Sequence, residues 1–276
     1  MLEKPNKLII MFFFFMTVFI SACGLNQPPV QKLIITGSST IAPLMTEVAK
    51  RYESLHKDTR IDVQSGGSSR GIADTRQGLA DIGMVSRSPK SNEKDLQWFA
   101  IARDGVAIIV NSQNPIETLS DQQVIDIYTG KITQWQKLND NALPISVVNK
   151  AEGRSTLEVF LNYFNLKNSA IKAQVIIGDN QQGIKTVAIN PGAIGYVSVG
   201  TAEYEVKQGT AIKLLSTNAI TASVENIRNG SFPIARTLHL ITKLPPTGLA
   251  KEFIAFAQSK SVNDLVEAQY FVPLTD

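Results

Sequence analysis

Four short turns in this sequence gather the residue types that hold an oxyanion. They are Gly37-Ser38-Ser39-Thr40, Gly66-Gly67-Ser68-Ser69-Arg70, Ser86-Arg87-Ser88 and Gly153-Arg154-Ser155-Thr156. Each supplies hydroxyl and backbone N–H donors, and three carry an arginine. One such turn alone has a plainer use, because Ser and Thr are the usual helix N-caps, and Ser155-x-x-Glu158 reads as a capping box. Four together exceed what capping requires, and an N-cap leaves other N–H groups free for a ligand. The second turn also carries a different chemistry. Gly67-Ser68-Ser69-Arg70-Gly71 satisfies G-x-S-x-G, the nucleophile elbow of many hydrolases, in which Ser69 would attack.

A hydrolase needs a base, and the candidates are His56 and His239. His56 falls at the polar end of a helical pattern, and His239 inside the strand-like "TLHLIT". Only the latter fits the order of a serine triad, and the other three turns would then have no role. A secreted serine hydrolase using Ser69 stands as the out-of-class alternative. One cysteine and two distant histidines do not make a zinc site. Neither a P-loop nor a dinucleotide fingerprint occurs. A net charge of +3 without a block of like charges argues against nucleic acid. No cofactor and no metal are expected.

The elements that must position the turns alternate between strand and helix. "KLIITG", "RIDVQ" and "DIGMVS" read as strands, and Leu44, Val48, Tyr52 and Leu55 recur at helical spacing after the first of them. "GVAIIVN" (Gly105 to Asn111) is a continuous apolar run, as in a strand buried on both faces. A second cycle begins with a Ser120-x-x-Gln123 capping box and a stripe of Val124, Ile127 and Tyr128, stopped by Gly130. "PISVVN", a helix with Leu157, Phe160, Leu161 and Phe164 on one face, and "AIGYVS" follow. The strand "RTLHLIT" and two helices close the chain. This alternation predicts an α/β fold with largely parallel strands, in two sheets. In such folds ligands bind beyond the carboxyl ends of the strands, where all four turns fall.

The 276 residues are 43% hydrophobic and 18% charged, which suits a folded soluble protein. The first residues read differently. Lys4 and Lys7 precede Leu8–Ile20, an apolar run too short to span a bilayer and typical of a signal-peptide core. It ends in "ISAC", and the stretch resembles a bacterial lipoprotein lipobox, in which Cys23 is acylated and becomes the first mature residue. Residues 1–22 are then the signal peptide and 23–31 a linker. With Cys23 consumed, no disulfide can form in the mature chain.

"ITGSSTIAPL", "SGGSSRGI", "ADIGMVSR", "DGVAIIVNSQNP", "IYTGKITQW", "VVNKAEGRSTLEVF" and "AIGYVS" occur in the order of a known family. Together they resemble the phosphate-binding proteins of bacterial high-affinity phosphate ABC transporters, which are type II periplasmic binding proteins. The resemblance covers about Leu33 to Pro273. It implies two α/β lobes joined by two hinge strands, "GVAIIVN" and "RTLHLIT", with the anion bound in the cleft. Lobe 1 would comprise residues 32–110 and 234–276, and lobe 2 residues 111–233. The implied partners are inorganic phosphate, ABC permease subunits and a membrane reached through the lipid anchor. The implied place is the extracytoplasmic or periplasmic face of the cell envelope, and the implied state is a monomer.

Carried over by position, the ligand donors are Ser39, Thr40, the N–H of Ile41, and Ser68. Two stretches depart from the family pattern. Ser86, followed by Arg87, stands where some members have an aspartate. Lys150-Ala151-Glu152-Gly153-Arg154-Ser155-Thr156 stands where Arg-x-x-Gly-Ser-Gly-Thr is common. Lys150, Arg154, Ser155 and Thr156 complete the expected site, and Arg154 is expected to replace the family's guanidinium. Without an acid at Ser86, discrimination against sulfate should weaken unless Asp104, Glu152 or Asp179 substitutes. Binding of another tetrahedral oxyanion (sulfate, molybdate or arsenate) is the alternative within the class. A signalling or adhesion lipoprotein on the same scaffold is a further one.

Overall fold

The apolar run Gly105–Asn111 lies in the longest strand of a nine-stranded sheet, and each end of that strand serves a different hydrophobic core. The computed structural model describes residues 30–138 and 142–274. The signal segment and Cys23 lie outside the described residues. The strands are β1 (Gln31–Gly37), β2 (Thr59–Ser65), β3 (Ile82–Val85), β4 (Gln97–Asn111), β5 (Thr118–Leu119), β6 (Ser146–Lys150), β7 (Val175–Ile177), β8 (Ala193–Ser198), β9 (Ile212–Leu214), β10 (Ser216–Thr217) and β11 (Ala235–Thr242). The sheet runs β2-β1-β3-β11-β4-β8-β6-β7, with β9 also on β4, while β5 and β10 form a separate ribbon.

The expected two sheets are therefore two parallel blocks within one sheet. β1 pairs in parallel with β2 and β3, and β6 with β7 and β8. Between the blocks, β11 and β4 run antiparallel to each other and to their neighbours β3 and β8. β4 begins at Gln97, well before that run, because Trp98–Ala102 form an apolar stretch of their own and Arg103 and Asp104 continue the strand between the two. Its Ile101 and Ala102 belong to the core under β1 and β3, whereas Val106 to Ile108 and Val110 belong to the core under β6 and β8. Likewise Leu238 and Leu240 of β11 join the first core, and Ile234 just before it joins the second. Asp104 and Arg236 face each other in register at this changeover.

The helices are α1 (Ala42–Leu55), α2 (Ser68–Gln77), α3 (Asp121–Tyr128), α4 (Ser155–Tyr163), α5 (Asn180–Ile189), α6 (Val199–Lys207), α7 (Val224–Arg228), α8 (Gly248–Ala257) and α9 (Asn263–Ala268). α1 buries Leu44, Met45, Val48, Ala49 and Tyr52 at helical spacing. Its expected stripe stops there, since Leu55 is exposed. α3 carries both hydrogen bonds of the Ser120–Gln123 capping box. Gly37 makes the tight exit from β1 possible. Its φ is +132°, and a Cβ there would lie 2.4 Å from the Met84 carbonyl oxygen. No helix among the described residues is long and apolar enough to cross a membrane.

Candidate functional site

Three helices point uncapped N-termini at one small cavity. α1 follows β1, α2 follows β2 and α4 follows β6, with Ile41, Gly67 and Arg154 at their N-caps, and none of the three makes a side-chain capping bond. α3, α5, α6 and α7 differ, because Ser120, Asp179, Ser198 and Ser223 each accept a backbone N–H. At α2 and α4 this brings a partial positive charge and inward-facing N–H donors to the cavity, whereas at α1 the Ala42 N–H is bonded to the Ser38 carbonyl and Pro43 carries none.

The capping box read at Ser155-x-x-Glu158 does not form. Ser155 is the first residue inside α4, one place too late to cap it, and its buried Oγ has no partner among the described residues. Glu158 turns instead to Arg87 and Lys90. A buried hydroxyl without a partner costs free energy unless something bonds it, and this one lines the cavity.

Ser39, Thr40, Ser68 and Ser86 contribute to the cavity wall from the β1–β3 side, and Lys150, Arg154, Ser155 and Thr156 from the β6 side. Behind the wall the hydroxyls are tied to one another. The Ser38 hydroxyl donates to Ser86 Oγ at 2.9 Å and accepts the Thr40 N–H at 3.2 Å. Ser68 Oγ accepts the Ser86 N–H at 3.3 Å. Two of the expected residues do not reach the cavity wall. The Ile41 side chain is fully buried in the core, and its N–H donates to the Ser38 carbonyl. Arg87 is directed away, into a bidentate pair with Glu93 at 2.6 and 2.8 Å and a second pair with Glu158 at 2.9 Å.

The cations divide the work. Lys150 is 2% exposed, and its burial, with Arg236 and Arg154 nearby, lowers its ammonium to about 7, against the opposing pull of Asp179. A negative charge beside Lys150 would favour its protonated form. Arg154 lies across Gly67, where a Cβ would come within 2.8 Å of its Cδ, and among the described residues its side chain makes no ion pair. Its guanidinium is thus available to an anion.

Sequence reasoning missed Arg236. From β11 its Nε and Nη2 donate to Asp104 Oδ2 at 3.0 and 2.7 Å, and Nη2 also reaches Thr40 Oγ1 at 3.2 Å. Nη1 donates to Thr156 Oγ1 at 2.9 Å and to the Ser86 carbonyl at 3.3 Å. One guanidinium therefore holds residues from both sides of the cavity. The available signal was a lone arginine near the start of a strand that alternates polar and apolar residues, with Leu238 and Leu240 buried.

None of the three carboxylates considered as proton acceptors lines the cavity. Asp104 is saturated by Arg236, Ser198 Oγ and the Gly200 N–H. Asp179 caps α5 through the Gln182 N–H, and Glu152 is exposed and accepts from Asn168. The hydrolase constellation is not assembled either. Ser69 is exposed and donates its N–H to the Gly153 carbonyl. His239 stacks edge-on against Trp98, and His56 lies flat on Tyr52.

A strand-spanning cleft lined by helix N-termini and hydroxyls defines a class of binding protein. Residues 25–261 match the PBP superfamily domain, and the chain belongs to that superfamily. Among its relatives is the phosphate-binding protein PstS of Bacillus subtilis (strain 168), 29% identical over 294 residues that cover 99% of this chain and 96% of the relative. A putative phosphate ABC transporter substrate-binding protein with bound phosphate from Clostridium perfringens superimposes with a TM-score of 0.82. It is 30% identical, and the match covers 89% of this chain and 100% of that one. An ABC-type phosphate transport receptor from Vibrio cholerae gives a TM-score of 0.72 at 28% identity, over 88% and 100% of the two chains.

Proposed function

We propose that this chain is a solute-binding protein that captures inorganic phosphate in the cavity between the β1–β3 and β6–β8 sides of its sheet and delivers it to the permease of an ABC transporter. The observation that carries the reading is a wall of donors that includes two basic side chains, Lys150 and Arg154, without an ion pair and, among the described residues, no carboxylate. Such a wall is electrostatically unfinished until an oxyanion fills it. The phosphate-binding names of the relatives support the same ligand.

In this reading residues 32–110 and 234–276 form one lobe, residues 111–233 the other, and β4 and β11 are the hinge. Ligand selects the closed state because donors from both lobes meet only there. Arg154 over Gly67, and the Ser69 N–H on the Gly153 carbonyl, are contacts of that closed state. Anchoring through acylated Cys23 at the extracytoplasmic face, and function as a monomer, complete the proposal. Mass spectrometry of the membrane fraction tests the anchor: a diacylated or triacylated Cys23 peptide is expected, and an unmodified one rejects it.

Calorimetric titration of the delipidated protein tests the ligand. Phosphate should bind one per chain with a Kd of about 1 µM or below, which four or five hydrogen bonds to a charged ligand can supply after the costs of closure. Absence of phosphate binding overturns the proposal. Equal affinity for sulfate would widen the ligand to tetrahedral oxyanions in general.

A further inference from the structure

Asn180 opens α5 and is nine-tenths or more buried, yet neither it nor Arg236 lines the cavity. Its Nδ2 donates to Thr40 Oγ1 at 3.1 Å and to Thr201 Oγ1 at 3.3 Å, bridging the cleft from the α5 side to the β1–α1 turn. Thr40 Oγ1 therefore accepts twice, from Asn180 and from Arg236 Nη2. A hydroxyl has one proton and two lone pairs. With both lone pairs filled from behind, the Thr40 proton is left to point into the cavity.

Ser86 is arranged in the same way. Its Oγ accepts from Ser38 Oγ at 2.9 Å and faces Arg236 Nη1 at 3.5 Å. Thr156 Oγ1 accepts from Nη1 as well. Hydroxyls can in general donate or accept, so a wall of serines and threonines has no fixed polarity by itself. Here the groups behind the wall fix it.

We propose that Arg236 and Asn180 are positioning residues that turn the Thr40 hydroxyl into an obligate donor to the bound oxyanion, and that Ser38, with Arg236 behind it, does the same for Ser86. The proposal rests on the reading of the cavity as an oxyanion site. It explains how a site without an acid is still polarised: Asp104 orients Arg236, and Arg236 and Asn180 orient the hydroxyls. A ligand that must donate a proton finds no acceptor at Thr40, so the wall favours the more deprotonated form of the anion.

Asn180→Asp tests this with little change of shape. The carboxylate can accept from Thr40 and Thr201, which keeps the packing and the cross-cleft contacts but draws the Thr40 proton out of the cavity. Phosphate affinity is measured by calorimetry for wild type, Asn180→Asp, Asn180→Ala, Thr40→Val and the two double variants. Each Asn180 variant should lose about tenfold to a hundredfold, the equivalent of one hydrogen bond to a charged group. In the Thr40→Val background, Asn180→Ala should cost nothing more, and Asn180→Asp should cost only its charge. The melting temperature without phosphate is read for all six proteins, and Asn180→Ala should lower it less in the Thr40→Val background, because the Asn180–Thr40 bond is already lost there.

Unchanged affinity in Asn180→Ala, or losses that simply add to that of Thr40→Val, overturns the inference while leaving the phosphate reading in place. A wild-type protein that binds sulfate or molybdate but not phosphate rejects the phosphate reading, and the same cycle is then read with that anion. A wild-type protein that binds no oxyanion rejects both.

Discussion

Two buried arginines span this molecule, and they are partnered in opposite ways. Arg87 meets both oxygens of Glu93 and one of Glu158, so its charge is consumed by carboxylates. Arg236 meets a single carboxylate, Asp104, which is itself also bonded by Ser198 and Gly200, and spends its other N–H groups on Thr156, Thr40 and Ser86. Both link the β1–β3 side to the β6–β8 side. The first behaves as a latch, because it joins two charged surfaces and offers nothing to a ligand. The second behaves as a support, because it passes its polarity through neutral hydroxyls into the cavity. A buried arginine is therefore not by itself a ligand site, and what its donors reach decides its role.

The largest effect should follow from breaking the support. Asp104→Asn leaves Arg236 buried without its counter-charge, and removing one partner of such a pair costs about 3–5 kcal/mol. Denaturant unfolding should show that loss, and phosphate affinity should fall by about a hundredfold or more as several hydroxyls lose their orientation. If affinity survives in protein that remains folded, the Arg236 region has no part in binding.

Lys150→Met should come next, with a loss of about tenfold to a hundredfold in affinity. It also carries a proton signature. With its ammonium lowered to about 7, Lys150 is largely neutral at pH 8 in the empty protein, and an anion favours its charged form. Phosphate binding at that pH should take up roughly one proton, read by calorimetry in buffers of different ionisation enthalpy, and the variant should take up none. The sign for stability agrees. Between about 7 and the ordinary lysine value the unfolded chain holds more protons than the empty folded one, so ligand-free stability from this residue rises with pH across that window.

Glu158→Gln should act on the latch alone. It removes the cross-cleft partner of Arg87 and Lys90 but leaves Glu93 on Arg87. A partly exposed pair contributes about 1 kcal/mol or less, so a change of a few-fold is expected, mainly as faster phosphate release in stopped-flow measurements. A loss as large as that of Asp104→Asn would erase the distinction between latch and support. Ser69→Ala defines the lower end, with no change expected in phosphate affinity.

The parts legible in sequence were those set by local pattern. Glycine and hydroxyl residues directly after apolar strands marked the turns; the choice of residues within and beside them came from the family resemblance, and eight of the ten residues so expected line the cavity. What escaped was set by distant partners. Arg236 meets Asp104, Thr156 and Thr40 across 132, 80 and 196 residues, and no local pattern reports such pairings. Arg87 was misplaced for the same reason, because Glu158 claims it from 71 residues away in sequence by a fold-dependent contact. Ser155 failed by a single position. S-x-x-E looks the same whether the serine is the N-cap or the first helical residue, and only the latter leaves its hydroxyl for a ligand. The early start of β4 was hidden because Asp104 breaks the apolar run, and its place inside the sheet depends on Arg236.

The most direct test of the donor cage is a crystal structure of the mature chain grown with phosphate. The account predicts one phosphate in the closed cavity, within hydrogen-bond distance of Ser155 Oγ, Ser68 Oγ, Thr40 Oγ1 and the Lys150 and Arg154 side chains, with Arg236 still on Asp104. An empty cavity in the closed protein, or a phosphate held by Arg87 on the far side of Arg236, would contradict it.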